Sequence, residues 1–344
     1  MEKLRFTSLS SDAGIFLYRK NGSFIIAVIY VDDAIFLGPL KELVNKLKAE
    51  FMKIWETWDL GDVTEFLRMR ITRQGSSIHI DQQTYLETVL ACYGLQNAKA
   101  AATPLPAGYV PMPSTEAANP ERQSRFQTVI GSLLYLMLGT RPNITFTVTK
   151  LAQHAVNPMK EHLDKVLYIC CYLVGTSKYR LTYDGASGEG ISTYTNLDWA
   201  SDNTSRCSQT SYFVKMAKGL ISWNLRAQKT VAPSSTGAEY MALSDCSRQV
   251  VWMHTLVGEL GYALKPIPIH GDNQDSIFIA SNPVTDKRLK HIDIRFHYVR
   301  EVISSNLVEV YFIPGEDNPA DLFTKNLGSV KFQKFQAELG LEFW

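Results

Sequence analysis

The sequence predicts a multidomain protein that combines α/β and α+β architecture. Three observations support this: strand-like segments joined by short turns open the chain, a proline-rich stretch interrupts it at residues 101–124, and strand-like and helical segments alternate from Ile191 onward. The 344 residues suffice for about two domains. With 45% hydrophobic residues, the chain has material for packed cores, which excludes disordered and collagen-like classes.

The first hundred residues predict hairpins followed by alternating helices and strands. Asn21-Gly22 is typical of a tight hairpin turn. Apolar residues recur every three or four positions over Leu40–Trp55, which predicts an amphipathic helix, and a second helix is predicted over Gln83–Tyr93. The predicted strands are Gly14–Arg19, Ser23–Val31, Ala34–Leu37, 64–72 and 76–80.

Composition divides the rest of the chain. Five prolines lie within residues 101–124, so this stretch is predicted to be a linker, and three glycines in Asp184–Gly190 mark a second boundary. Between them, a helical block is predicted, broken at Pro142 and Pro158. The predicted segments are 1–100, the linker 101–124, a helical region 125–183, an alternating α/β domain 190–330 and a C-terminal tail 331–344.

Charge and cysteine usage narrow the class of protein. The net charge is +1, with +4 on residues 1–183 and −3 on residues 184–344. Binding of a polyanion such as nucleic acid would therefore depend on local basic patches, and the acidic second half could hold cations. Five cysteines without a CxxC pair make a disulfide framework or zinc knuckle improbable and favour a reducing compartment. The longest apolar run, Phe24–Val31, is far below the ~20 residues of a membrane span, so no membrane partner is expected.

Two adjacent acids, Asp32 and Asp33, interrupt an apolar strand-turn-strand pattern. Burying either carboxylate alone would be costly, so the pair is expected at an exposed hairpin tip or at a metal ion. On spacing alone, a solvated turn is the favoured explanation, because aspartate is a common turn residue. Both interpretations stand on the residues alone.

Three further acids, Glu239, Asp272 and Asp321, lie at predicted strand ends or helix starts. Such positions meet most easily on one face of a sheet, so folding could bring the three together. Each has an ordinary explanation as well. Glu239 completes a capping box with Thr236, Asp272 lies in a turn, and Asp321 complements the dipole of a helix's first turn.

The segment Ile29–Asp33 resembles the Tyr-x-Asp-Asp motif of reverse transcriptases, in the form found in copia-type LTR retrotransposons. This resemblance implies a palm hairpin on which Asp32 and Asp33 bind Mg²⁺ for phosphoryl transfer. Further segments resemble the same family in order along the chain: Trp58–Asp62, Glu65–Leu67, Ala102–Leu105, Val129–Tyr135, Thr140–Pro142, His162 and Gly175-Thr176.

The last part of the chain resembles the RNase H domain that ends copia-type polyproteins. The segments that carry this resemblance are Thr195–Ala200, Ser235–Tyr240, His270–Gln274 and Asn318–Asp321. It implies a mixed five-stranded sheet with flanking helices. It also implies catalytic positions at Asn196, Glu239, Asp272 and Asp321, with the three acids as ligands of two Mg²⁺ ions, or of Mn²⁺ as the alternative.

The family resemblance implies RNA–DNA hybrid and template-primer as partners, together with the upstream part of the polyprotein, in a cytoplasmic retroelement particle with nuclear entry. A solvated helix face explains the basic run at 287–291 as well as phosphate binding does. The candidate nucleic-acid contacts are Tyr30, Arg141, Lys287, Arg288, Lys290 and Arg295.

Three departures from the family pattern predict reduced activity. The family palm carries another aspartate well upstream, whereas only Glu2 and Asp12 are acidic before Tyr30, so polymerase activity is not expected from this chain alone. Asn196 replaces a carboxylate, which predicts RNA cleavage weakened about a hundredfold or more. Arg68 stands where the family has a small residue, so a long cation is expected to obstruct the primer grip.

The sequence therefore predicts a retrotransposon segment related to RNA-directed DNA polymerase and ribonuclease H, with both activities impaired. The alternative from another class is a non-catalytic nucleic-acid-binding remnant of the same fold. An unrelated metal-dependent phosphatase or nuclease is a third reading, but it leaves the other motifs unexplained.

Overall fold

The computed structural model describes residues 1–20, 22–115, 117–199, 207–232, 234–282 and 293–344. The chain forms two compact units. The first comprises Met1–Phe66 and Gln249–Lys265, and the second comprises Leu67–Arg248 and Pro266–Trp344. The boundaries of the five segments remain a prediction, because these units are groups of residues that pack together rather than tests of those boundaries.

The first unit is built on an antiparallel sheet in the order β1-β2-β3-β4. Its strands are β1 (Thr7–Ser8), β2 (Ile15–Lys20), β3 (Ser23–Tyr30) and β4 (Asp33–Leu37), and they are followed by helix α1 (Lys41–Met52) and strand β5 (Glu65–Phe66). The predicted hairpins are thus present, although Asn21 of the first turn lies outside the described residues. Apolar residues from the sheet, the helix and the N-terminal turn form the core: Leu4, Phe6, Tyr18, Ile25, Ala27, Leu47 and Phe51.

A second antiparallel sheet lies in the second unit. Strands β6 (Met69–Gln74) and β7 (Ser77–Asp81) form a hairpin, β7 pairs with β8 (Tyr179–Asp184), and β8 pairs with β14 (Leu341–Phe343). Arg68, which precedes β6, has a φ of 56°. Glycine adopts this left-handed conformation without penalty and arginine does not, which is a backbone reason for a small residue at this position.

Helices α2 (Gln83–Cys92), α3 (Pro120–Gly139), α4 (Thr145–Ala152) and α5 (Lys160–Gly175) follow, with a 3-10 turn at Pro142–Ile144. Helix α3 corrects one prediction, because its first five residues lie inside the predicted linker 101–124. Pro120 occupies the first helical position, where no backbone donor is needed, and Asn119 caps the helix by accepting from the Arg122 N–H. A proline there starts the helix rather than excluding it.

A third sheet is mixed and has five strands in the order β11-β10-β9-β12-β13. Strands β9 (Ser192–Asp198), β10 (Gln209–Met216) and β11 (Gly219–Ala227) are antiparallel, whereas β12 (Ile267–Gly271) and β13 (Val308–Phe312) run parallel to β9. The helices are α6 (Ser235–Glu259), α7 (Gln274–Ser281), α8 (Asp293–Ser304), α9 (Asp321–Thr324) and α10 (Ser329–Glu338). The expected mixed five-stranded sheet with helices is therefore confirmed.

One hydrophobic core joins the helices of the second unit to both of its sheets. Phe126 of α3, Val148 of α4 and Phe213 of β10 are completely buried in it. Leu322 and Phe323 of the short helix α9 are buried in the same core, which fixes the backbone of the preceding Asp321. Among the described residues, we find no helix with the length and apolar character that a bilayer crossing requires.

Candidate functional site

The Asp32–Asp33 pair lies at the exposed tip of the β3–β4 hairpin. Tyr30 pairs with Asp33 across the hairpin, and Val31 has a φ of 52°, so the turn is tight. Both carboxylates are exposed, and Tyr30 is 57% exposed. Over the described part of the chain, no cluster of three or more His, Cys, Asp or Glu side chains is arranged to hold a metal ion, here or elsewhere. The geometry agrees with a solvated turn and leaves the catalytic assignment a prediction.

The second group of predicted site residues converges at one edge of the mixed sheet. Strands β9 and β12 are parallel neighbours in which His270 lies opposite Tyr194. Continuing that register by two residues brings Asp272, just beyond β12, beside Asn196 of β9. Asp321 begins helix α9, and Glu239 lies in the first turns of α6. Elements that are distant in sequence thus bring the four positions together.

Asn196 and Asp321 are in direct contact. The Asn196 side-chain Nδ2 donates to Asp321 Oδ1 at 2.5 Å and to Thr324 Oγ1 at 3.2 Å. The orientation of the amide is fixed because its Oδ1 accepts from the Leu197 backbone N–H at 2.7 Å. Asn196, where the resemblance implies a carboxylate, therefore acts as a hydrogen-bond donor to Asp321.

The Asp321 carboxylate is also paired with two lysines. Lys325 Nζ lies 2.5 Å from Oδ1, and Lys331 Nζ lies 2.7 Å from Oδ2. The Asp321 side chain is only 2% exposed, whereas both lysine side chains reach solvent. Paired ammonium groups compensate a carboxylate that would otherwise be buried as an isolated charge.

The surroundings of Glu239 and Asp272 disfavour their charged forms. Burial raises the pKa of Glu239 well above its usual value. Repulsion from Asp272 and Asp321 raises this pKa further, whereas attraction to Lys325 lowers it. Burial also raises the pKa of Asp272, reinforced by Asp321. Asp272 Oδ1 is buried without a hydrogen-bond partner. Both groups would gain from a nearby cation.

This donor set has some of the features of a cation site and lacks others. The orphaned Asp272 Oδ1 and the mutual repulsion of the acids are features that a cation would relieve. However, both oxygens of Asp321 are bound to lysines, and the fourth position offers an amide N–H. Since the described residues include no three-acid group arranged for a metal, the side chains as they stand do not fit a two-ion site.

The candidate nucleic-acid contacts lie in different surroundings. Arg141 is 2% exposed, and its guanidinium donates to the Thr176 carbonyl at 3.0 Å and to the Thr176 hydroxyl, so it is packed inside the second unit. Arg295 lies 3.5 Å from Asp245, a buried acid that also pairs with Arg226. Lys287, Arg288 and Lys290 lie outside the described residues.

Sequence reasoning missed the lysines. Lys325 follows Asp321 by four residues, a spacing that favours side-chain pairing on a helix, so a signal for it existed. Lys331 reaches the carboxylate from helix α10, and no local pattern predicts that approach.

Comparisons with known proteins identify the family. Residues 1–107 match the model of a family described as reverse transcriptase (RNA-dependent DNA polymerase). The retrovirus-related Pol polyprotein from transposon TNT 1-94 of Nicotiana tabacum is 34% identical over 99% of this chain, which covers 26% of that polyprotein. An uncharacterized mitochondrial protein of Arabidopsis thaliana is 31% identical over 65% of this chain and 92% of its own length. The chain belongs to the retrotransposon Pol polyprotein family.

These relatives confirm the predicted resemblance and agree with a copia-type origin. The chain spans about a quarter of the TNT 1-94 polyprotein. Among solved structures, an N-terminal RNase H domain from Mycobacterium tuberculosis, solved as a fusion with maltose-binding protein, is 13% identical with a TM-score of 0.30, covering 43% of this chain and 97% of that one. At that level of similarity it adds nothing to the sheet topology described above.

Proposed function

We propose that the second unit binds RNA–DNA hybrids at the edge of the mixed sheet where Asn196, Glu239, Asp272 and Asp321 converge, and that its hydrolysis of the RNA strand is weak. The convergence of these four side chains is the observation that carries the proposal. They come from β9, α6, the end of β12 and the start of α9, and their proximity supports the proposal. Mg²⁺, or Mn²⁺ in its place, is the cofactor that the resemblance implies for this hydrolysis, and the poor fit of the present side chains to two such ions is the reason we propose that hydrolysis is weak.

The weakness follows from charge at this edge. Asn196 supplies no negative charge, and its amide hydrogen is directed at Asp321. Lys325 and Lys331 neutralise the same carboxylate, so a divalent cation must displace ammonium groups before it can use it. Loss of one electrostatic group at such a site typically costs about a hundredfold in rate or more.

A second candidate function, hybrid binding without cleavage, is favoured by the lysine pair. Lys325 and Lys331 are partly exposed next to the cluster, so they can contact phosphates of the nucleic-acid backbone. In that case, the ammonium groups of Lys325 and Lys331 bind the nucleic acid, and the Asp321 carboxylate holds them in place.

We propose no polymerase activity for this chain by itself. Asp32 and Asp33 form a pair of exposed carboxylates, and no third acid joins them among the described residues of the first unit. A polypeptide that supplied further acids and a template-primer site is the partner this hairpin requires.

The deciding experiment measures cleavage of a labelled RNA strand in a hybrid by the full chain, with Mg²⁺ or Mn²⁺. We expect trace cleavage by the parent, an increase of about tenfold or more in Asn196→Asp, and loss of that increase when Asp272→Asn is added. The exposed turn residue Asn306, changed to Asp, is the matched control and is expected to leave the rate unchanged.

The other outcomes separate the candidates. Rapid cleavage by the parent that Asp272→Asn abolishes would contradict the proposed weakness. Hybrid binding that weakens with salt, together with no cleavage by Asn196→Asp, would establish the non-catalytic function instead. Absence of hybrid binding by the parent would refute both.

A further inference from the structure

A cavity of about 750 Å³ lies in the second unit next to the acid cluster. One wall is the strap Tyr109–Ser114, a second is helix α4 with the residues that follow it, and the third consists of Asp198 and Thr324–Asn326. This volume lies within the range of sites that hold small organic molecules or parts of larger ligands. Neither the family motifs nor the acid cluster accounts for it.

The cavity walls are held in place by hydrogen bonds. Asn326 Nδ2 donates to the Pro106 carbonyl at 2.8 Å and to the Tyr109 carbonyl at 3.1 Å, so the strap is tied to the residues that follow α9. On the opposite side, Gln127 Nε2 donates to the Ala155 carbonyl at 2.9 Å. Lys165 lies 4.8 Å from the centroid of the Tyr109 ring and covers it from outside the cavity. The site is therefore preformed.

The lining combines flat apolar surfaces with cations. Tyr109 and Phe146 supply aromatic rings, and Pro111 and Pro113 extend the apolar wall. Lys150 lies on the same wall as Phe146, 5.8 Å from its ring centroid. Sites that bind single-stranded nucleic acid commonly combine aromatic rings with lysines, because the rings stack on bases and the ammonium groups contact phosphates.

Two ionisable groups refine the ligand class. Burial, together with His162, lowers the pKa of His154 to about 4, so this lining residue is neutral at physiological pH. Asp198 offers a carboxylate acceptor at the other wall. A base with an exocyclic amino group can donate to such an acceptor. The positive charge at the cavity therefore comes from Lys150 and from Lys325, which also pairs with Asp321, and the carboxylate of Asp198 suits a base edge.

The cavity is continuous with the acid cluster. Thr324 and Lys325 line it, and the same two residues contact Asn196 and Asp321. Asp198 lies two residues after Asn196 in β9, which corresponds to roughly 6–7 Å along the strand. That is about the reach of one nucleotide step, so a strand crossing the cluster would enter the cavity directly.

We propose that this cavity holds unpaired nucleotides of a strand that continues past the acid cluster, so that the second unit prefers a hybrid with a single-stranded extension over a blunt hybrid. The inference rests on the proposed hybrid binding and specifies its substrate class. A free mononucleotide shares the same chemistry, and the test distinguishes the two sources.

The test measures fluorescence anisotropy of labelled hybrids binding to the full chain without divalent cations. The probes are a blunt hybrid, the same hybrid with an unpaired extension on each strand end in turn, and AMP as a competitor. We expect one extension to tighten binding about fivefold or more, because each stacked base contributes about that much. The variant Phe146→Ala is expected to abolish this preference, whereas Phe278→Ala, at an exposed phenylalanine of α7, is expected to preserve it.

Each outcome decides the matter. If the blunt hybrid binds and no extension improves the affinity, the inference is overturned and the proposed function stands. If no hybrid binds, both are refuted. If AMP abolishes the whole gain in affinity that the extension gives, the cavity is a mononucleotide site and the strand assignment is overturned. Should Phe146→Ala unfold, Lys150→Gln takes its place, with an expected loss of the preference and a shallower dependence of binding on salt.

Discussion

Replacing Asn196 by aspartate tests the electrostatics of the cluster through stability alone. The change removes a hydrogen bond from the amide to the Asp321 carboxylate, worth about 1.5–3 kcal/mol. It also places two carboxylates side by side, which costs about 4 kcal/mol at 4 Å in a partly screened environment. Lys325 and Lys331, at 2.5 and 2.7 Å from Asp321, offset part of this cost.

We therefore expect Asn196→Asp to lower the free energy of unfolding by about 2–4 kcal/mol at neutral pH without divalent cations, and to lower Tm by several degrees. Urea and thermal unfolding measure the change. Millimolar MgCl₂ should restore stability in the variant and have little effect on the parent, because only the variant offers a fourth carboxylate. Unchanged stability without Mg²⁺, or an equal effect of Mg²⁺ on both proteins, would refute this account of the cluster.

Three further predictions use the same unfolding assays. Asn143→Asp, a change of the same chemistry, should lower stability by about 1–3 kcal/mol, because a buried carboxylate cannot donate to Gln336 Oε1 as the Asn143 amide does at 3.0 Å; a rise would show that the new charge pair with Arg141, whose Nε lies 3.4 Å away, outweighs this loss. The pKa of Glu239 is raised in the folded state, so its contribution to the free energy of unfolding declines as pH rises above 4.5. The stability of Glu239→Gln relative to the parent should therefore increase with pH, and a difference independent of pH would refute this. Four hydrogen bonds from Ser10–Ser11 lower the pKa of Glu259 to about 2, so Glu259→Gln should destabilise the first unit above pH 4.5, with the difference disappearing as pH falls towards 2; a difference independent of pH would argue against this.

Most helices and strands were predictable because apolar spacing and turn residues within a short segment indicate them. The spacing of apolar residues located α1 and α2 within a few residues. Strand β8 lies inside the region predicted to be helical, although the alternation of Tyr179, Leu181 and Tyr183 is a strand signal that the long helical pattern before it outweighed. Proline often ends a helix but is compatible with the first helical turn, which is why α3 begins at Pro120, inside the predicted linker.

The candidate site was predictable to the extent that it follows from topology. Strand ends and helix starts on one face of a sheet are the positions that converge most easily, and this reasoning predicted the proximity of Glu239, Asp272 and Asp321. The approach of Lys331 and the burial of Arg141 depend on packing between elements distant in sequence, which no spacing encodes. The roles of Asp32 and Asp33, and the cellular location, remain predictions.

The antiparallel sheet of the second unit has a consequence for how this protein is made. Strand β7 pairs with β8, about a hundred residues later, and β8 then pairs with β14 at Leu341–Phe343. Trp344 closes the arrangement with its ring 4.1 Å from the Arg180 guanidinium. During synthesis, one edge of β8 therefore stays unpaired until β14 has been made. Such late, long-range pairing slows folding and exposes a strand edge to neighbouring nascent chains, so synthesis is the stage at which this unit is most prone to aggregate.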